Sequence, residues 1–155
     1  MFSAHGWTVY FHPVFAERYN QLLARAAALR RELSREEYRH HHSVKLLAKV
    51  TRVIREAVPA NPDAPEFRLK RDLAKFRRVE GHGLPQRYRV FWVFSSRLRV
   101  IIFLYLNDET TLRKEGADTD PYEVFKRLIA RGEIRADFGE NWEVLQQELR
   151  KRQKP

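Results

Sequence analysis

Arg87 and Arg89 stand two residues apart in a stretch, Arg87 to Phe94, that alternates as a strand does. Two such positions share one face of a sheet. Arg78 lies on what reads as a neighbouring strand, Phe76 to Val79, and reaches the same spot. Three guanidinium groups gathered in this way suit a phosphate. Their planar forks offer parallel hydrogen bonds to its oxygens and stay charged at any ordinary pH. The competing reading is a solvated strand face with scattered ion pairs.

The surrounding charge favours a polyanion. Between Phe67 and Tyr105 ten Lys and Arg residues face two acids, so this segment holds +8 of a formal net charge of +10. Arg68, Lys70, Arg71, Lys75 and Arg77 precede the three arginines, and Arg113 and Lys114 follow them as further phosphate contacts or as plain surface charge. Arg97 and Arg99, beside a turn, read as surface charge. Concentrated positive charge on a strand-rich stretch is the electrostatic footprint of a face that meets RNA or DNA.

The elements that must position these residues follow from the pattern. Trp7 to Phe11 reads as an opening strand. Phe15, Tyr19, Leu22, Leu23, Ala26 and Leu29 recur at helical spacing from Val14 to about Leu33. Ser34 with Glu37 three residues on is a capping box, so one further helix is expected from there to Val58, forming a hairpin with the first. Pro59, Pro62 and Pro65 then exclude helix and make a stiff loop, and Phe67 to Leu73 is a short strand or loop. Gly81 to Pro85 is a turn, Ser95-Ser96 another, and Val100 to Leu106 is a nearly continuous apolar strand suited to the middle of a sheet. Asp120-Pro121 opens a helix to about Ala130, Gly132 ends it, and Trp142 to Leu149 is a last helix before a basic tail. This order predicts a single α+β domain over residues 1–155, with an N-terminal helix hairpin packed on a small antiparallel sheet and helices at the C-terminus.

Other features carry less. The chain has no cysteine, which excludes disulfides, thiol catalysis and Cys-ligated zinc. His40, His41 and His42 on one helix point about 100° apart and cannot converge on one ion, so no metal or cofactor is expected. Trp92 shares a face with Tyr88 and Val90 and reads as core. The first residues lack the features of a signal peptide, and no apolar run approaches the length a bilayer needs, so a cytoplasmic protein without membrane contact is expected.

Taken together, several short motifs resemble the YhaV toxins of bacterial type II toxin–antitoxin systems, within the RelE-like ribonuclease superfamily. They are Gly6-Trp7 with Tyr10 and His12-Pro13; Lys45-Leu46-Leu47-Ala48; Asn61-Pro62 through Pro65-Glu66-Phe67-Arg68; Arg78-Val79; Arg87-Tyr88-Arg89; Asn107-Asp108-Glu109; Thr111-Leu112-Arg113; and Thr119-Asp120 with Tyr122 and Val124-Phe125. The resemblance implies a RelE-like fold and a growth-arresting endoribonuclease that cuts mRNA in association with the ribosome. It also implies a PrlF-like antitoxin of AbrB-like fold, the complex of the two binding operator DNA. It marks Arg78 first, then Arg87 and Arg89, as the functional arginines. The chain departs from the family pattern at Ala117-Asp118, where a pair of lysines is common, and at Glu80, where a basic residue is. Both departures remove positive charge near the presumed RNA face.

RNA is cut without a metal when its 2′-hydroxyl attacks the adjacent phosphorus in line. The enzyme then stabilises the charge on the phosphorane, a task for arginine. The general acid and base stay open. His82, in the glycine turn, either donates a proton to the leaving oxygen or is an ordinary loop histidine. Asn107, Asp108 and Glu109 either orient a base or the arginines, or simply turn the chain and cap the next segment. Two other readings use the same charge: a non-catalytic RNA- or ribosome-binding translation inhibitor, and a ParE-like gyrase inhibitor.

Overall fold

Two buried layers enclose a five-stranded sheet in the computed structural model, which describes residues 1–108, 120–135, 138–139 and 142–152. The strands are β1 (Phe2–Ala4), β2 (Trp7–Phe11), β3 (Arg77–Val79), β4 (Val90–Ser95) and β5 (Val100–Leu106), in the order β1-β2-β5-β4-β3. The sheet is mixed, which corrects the expected antiparallel one: β2 pairs parallel with β5, and the other neighbours are antiparallel. Helices separate β2 from the β3-β4-β5 meander, and a chain returning through helices can lay a strand parallel to the one it left. β1 has no counterpart in the expected elements. His5 and Gly6, at φ of 49° and 80°, form the two-residue turn that pairs Ala4 with Trp7, because two positive φ values match the twist of a hairpin.

The alternation in β4 holds, but both of its faces are dry. Val90 and Trp92 face a core with Val9, Phe15, Val50, Ile54 and Phe103, whereas Phe91 and Val93 face a second core with Ile102, Leu104 and Phe125. A helix layer therefore covers each side. On the first side lie α1 (Pro13–Glu32) and α3 (His42–Arg52), tied by a 2.6 Å hydrogen bond between the hydroxyls of Tyr19 and Thr51. On the second lie α5 (Pro121–Ala130) and α6 (Trp142–Arg152). Trp7, Trp92 and Trp142 are all core residues, and the Trp92 indole donates to the Pro62 carbonyl at 3.3 Å. Among the described residues no helix is long and apolar enough to cross a membrane.

The helix expected from Ser34 onward is broken. The capping box forms, with Ser34 and Glu37 bonded reciprocally at 3.1 Å, but α2 (Arg35–His40) stops after six residues. His41 takes an extended backbone, and its Nδ1 accepts from the Ser43 amide, capping α3 as His12 caps α1. A histidine serves here as an N-cap because its ring nitrogen reaches the same orphan N–H that Ser or Asp oxygens usually satisfy. The His run is thus divided between two helices, with the rings of His41 and His42 stacked 4.4 Å apart.

Helical structure also runs past Arg52, through a π turn (Val53–Ala57), into a last short turn α4 (Val58–Ala60) that includes Pro59. Pro65 opens a 3-10 turn ending at Phe67. Neither proline excludes helix: Pro65 opens its own turn, where an N–H is not needed, and Pro59 follows the π turn within the last turn of the continuous run. The stretch expected as a strand or loop after Phe67 holds a 3-10 turn, Arg71–Leu73, and a single antiparallel bridge from Arg68 to Arg77. α5 agrees with its expected bounds. Asp120 accepts from the Tyr122 amide at 2.8 Å, Pro121 fills the first position, and Gly132, at φ 73°, follows the end.

Candidate active site

Alternation along β3 decides which way its arginines face. Arg77 and Val79 pair with Trp92 and Val90, toward the first core, whereas Arg78 pairs with Phe91, toward the second. On that second side the Arg78 guanidinium lies 5.9 Å from the ring centre of Tyr122, in the first turn of α5. Its Nη1 donates to Glu80 Oε1 at 3.0 Å, and Arg89 Nη2 meets Glu80 Oε2 at 2.9 Å. One carboxylate therefore bridges two arginines, one oxygen to each. The arginine side chains are only 15% and 20% exposed while Glu80 is 47% exposed, so a fixed pair of cations presents an accessible anion. Each arginine also keeps a buried Nε that bonds to no partner among the described residues.

The pairing of Arg87 with Arg89 on one strand does not hold. Both precede β4, and Arg87 has φ 71°, in a turn. What positions this segment is Asn107, fully buried at the end of β5. Its Oδ1 accepts from the Arg89 amide at 2.7 Å and its Nδ2 donates to the Arg87 carbonyl at 3.0 Å. The side-chain amide thus replaces a ladder partner for a backbone that has left the sheet. A bulge in β5 contributes: Phe91 pairs with Tyr105 and Trp92 with Phe103, so Leu104 is the extra residue and both Leu104 and Tyr105 enter the second core. Arg89 Nη1 also donates to the Tyr88 carbonyl at 2.8 Å, fixing its guanidinium.

The remaining basic residues divide. Arg77 and Arg68 are held by Asp63, at 2.9 and 3.3 Å, and Arg77 further donates to the carbonyls of Ala74 and Phe76. These two tie the 3-10 turns to β3. Lys75 is exposed, its ammonium 5.0 Å from the centre of the Phe76 ring. Lys70 and Arg71 line a groove with Lys126 and the acids Asp72, Asp120 and Glu123, and the groove shares Tyr122 with the Arg78 cluster. Arg99 stacks on Trp7 at 4.0 Å. His82 is brought to the other side of the sheet: it lies 3.9 Å from Glu66 and packs on Phe67, a first-core residue. Asp108 is half-buried just beyond β5. Glu109, Arg113, Lys114 and Ala117-Asp118 lie outside the described residues.

Asp63 carries a pH dependence. Burial pushes its carboxyl up, but hydrogen bonds from Arg77 and Arg68, with their charges, outweigh this and hold it below its ordinary 3.8. A carboxylate depressed in the folded state stabilises the fold above its unfolded value, and that contribution is lost as pH falls through the folded one. An Asp63→Asn variant is therefore expected to be less stable than wild type at pH 7. The gap should close below about pH 3.8. Urea unfolding across that range checks it, and a gap that persists undiminished at the acid end would exclude this role.

One residue that matters here was not singled out by the sequence: Glu80 read only as lost positive charge. The available signal was weak: an acid two residues after Arg78 shares its face of a strand. Asn107 had two readings, orienting the arginines or turning the chain, and its bonds to the Arg89 amide and the Arg87 carbonyl favour the first.

Comparison with known proteins places the sequence of the chain in a family. A family model described as a toxin with endonuclease activity, of a toxin–antitoxin system, matches residues 9–150. Toxin YhaV of Escherichia coli O6:H1 is 41% identical over 150 residues, covering 93% of this chain and 92% of the relative. Ribonuclease toxin YhaV of Escherichia coli strain K12 is 39% identical over the same coverage. At that identity over nearly the whole length, the chain belongs to the YhaV family, toxins with endonuclease activity of toxin–antitoxin systems.

Proposed function

We propose that this protein is an mRNA endoribonuclease that arrests growth by cutting RNA engaged with the ribosome, through attack of the 2′-hydroxyl on the adjacent phosphorus and without a metal. The observation that carries the reading is the pair Arg78 and Arg89, joined by one anion and immobilised by Tyr122, Asn107 and the Tyr88 carbonyl. Two fixed guanidinium groups that share an anion can share a phosphate, and they stabilise the two charges of a phosphorane without reorganising. Arg87 is the third contact, its backbone held by the same Asn107 amide. Lys70, Arg71 and Lys75 are exposed along the approach and steer the strand, with Arg68 and Arg77 shaping that edge through Asp63. The name of the K12 relative, a ribonuclease, supports RNA as the substrate. The partner is an antitoxin of the PrlF-like, AbrB-fold kind, and the toxin–antitoxin complex binds the operator DNA.

The test is to incubate the purified protein with mRNA, free and on translating ribosomes, and to map 5′ ends. EDTA is added to the free RNA alone, because ribosomes need magnesium. New ends on free RNA despite EDTA establish a metal-independent nuclease. Ends on ribosomal samples alone make the ribosome part of the site. RNA bound and intact in every sample would replace this reading with a non-catalytic binder.

A further inference from the structure

We propose that Glu80 is the general base, taking the proton of the attacking 2′-hydroxyl; this rests on the ribonuclease reading above. A general base must lie within hydrogen-bond reach of the hydroxyl it deprotonates, and in RNA that hydroxyl neighbours the phosphate under attack. The arginines that grip the phosphate therefore mark where the base must be. Glu80 engages a single Nη of each, Arg78 Nη1 and Arg89 Nη2, at 3.0 and 2.9 Å. A guanidinium offers five donor hydrogens, so a phosphate can join Glu80 on the same pair. The carboxylate then sits at the flank of the phosphate, and it is the accessible member of the cluster.

Several other groups face different partners: Asp63 holds Arg77 and Arg68, Asp120 caps α5, Asp72 faces Lys126, and His82 lies across the sheet on Phe67. In the step itself, Glu80 accepts the 2′-hydroxyl proton as the O2′–P bond forms and the P–O5′ bond breaks. The 5′-oxygen leaves with a proton from water, and the resulting hydroxide recovers the proton from Glu80. The products are a 2′,3′-cyclic phosphate and a 5′-hydroxyl.

The experiment compares wild type, Glu80→Gln and Glu80→Asp for cleavage of an RNA cut by the wild type, and for affinity toward the same RNA carrying 2′-O-methyl groups, which cannot react. Glu80→Gln is expected to lower kcat by about 10²–10⁴-fold. Its affinity for the methylated RNA should be unchanged or higher, since one negative charge has gone. Glu80→Asp should recover part of the rate. A Glu80→Gln variant that cuts as fast as wild type overturns the proposal and leaves Glu80 as a counter-ion that substrate displaces. Affinity falling in step with rate also overturns it, because Glu80 would then act only by holding the arginines. Should Glu80→Gln fail to fold, Glu80→Asp must by itself lower kcat, and an unchanged kcat sinks the idea. A wild type that binds RNA and yields no cyclic phosphate removes the nuclease reading, and the base with it.

Discussion

Arg78→Ala is expected to cut mRNA about 10²–10³-fold more slowly than wild type, a loss of about 3–4 kcal/mol of transition-state stabilisation. The reason lies in where the guanidinium is held. Backbone pairing with Phe91 aims it at the second face, Tyr122 bounds it on one side, and Glu80 fixes its outer nitrogen at 3.0 Å. Arg89 keeps its own 2.9 Å bond to Glu80 in the variant, so the anion site is halved and does not collapse. Arg78 is only 15% exposed, so its loss also removes packing against Tyr122, and stability is measured beside activity to separate the two. Arg78→Lys should fail to restore the rate, since an ammonium cannot present two parallel donors. The measurement is the yield of new 5′ ends against time, with circular dichroism confirming the fold. Cleavage at wild-type rate by Arg78→Ala would remove this residue from the site.

Phe125→Ala is expected to lower folding stability by about 3–5 kcal/mol, the usual cost of deleting a fully buried phenyl ring. Phe125 has no solvent exposure and stacks on Phe91 at 4.3 Å, with Tyr105 at 6.0 Å and the edge of Phe76 at 5.1 Å. It joins α5 to β4 and to the turn ahead of β3. Typical domains are stable by only about 5–15 kcal/mol, so this single change removes a large share. Activity should fall as well, because Tyr122 lies one turn earlier on α5 and bounds Arg78. Urea unfolding checks the stability, and a matching Leu23→Ala variant is the control. Leu23 is 44% exposed and should shift stability by no more than about 0.5 kcal/mol. A Phe125→Ala loss below about 1 kcal/mol would mean that the second core relaxes around the cavity.

Much of the architecture was legible in the residues, and the misses share a cause. Val100–Leu106 and Pro121–Ala130 were readable end to end because local rules decide them. A run of apolar residues suits a central strand, and Asp-Pro ahead with Gly behind delimits a helix. The helix after Ser34 was misread as continuous because nothing in its periodicity announces that His41 will leave the helix to cap the next one. The sheet was misread as antiparallel because the β2–β5 pairing joins segments about ninety residues apart, and no local pattern encodes their direction.

The site divides along the same line. Residue type and order alone determined that the positive charge gathers between Phe67 and Tyr105 and that the motifs resemble one toxin family, to which the chain belongs; the resemblance is what put Arg78 ahead of Arg87 and Arg89 as a candidate. Those are statements about composition and short-range order. Only the tertiary structure decided which arginines share an anion. It sent Arg77 and Arg68 to Asp63 and Arg78 and Arg89 to Glu80, carried His82 to the opposite face, and set Asn107 beneath the Arg87–Arg89 segment. Whether a charge is paired depends on atoms that meet across the fold, at distances of about 3 Å, where Coulomb energy and hydrogen bonding are both steep. Sequence separation carries no information about those distances, so Glu80 read as lost charge until the fold closed around it.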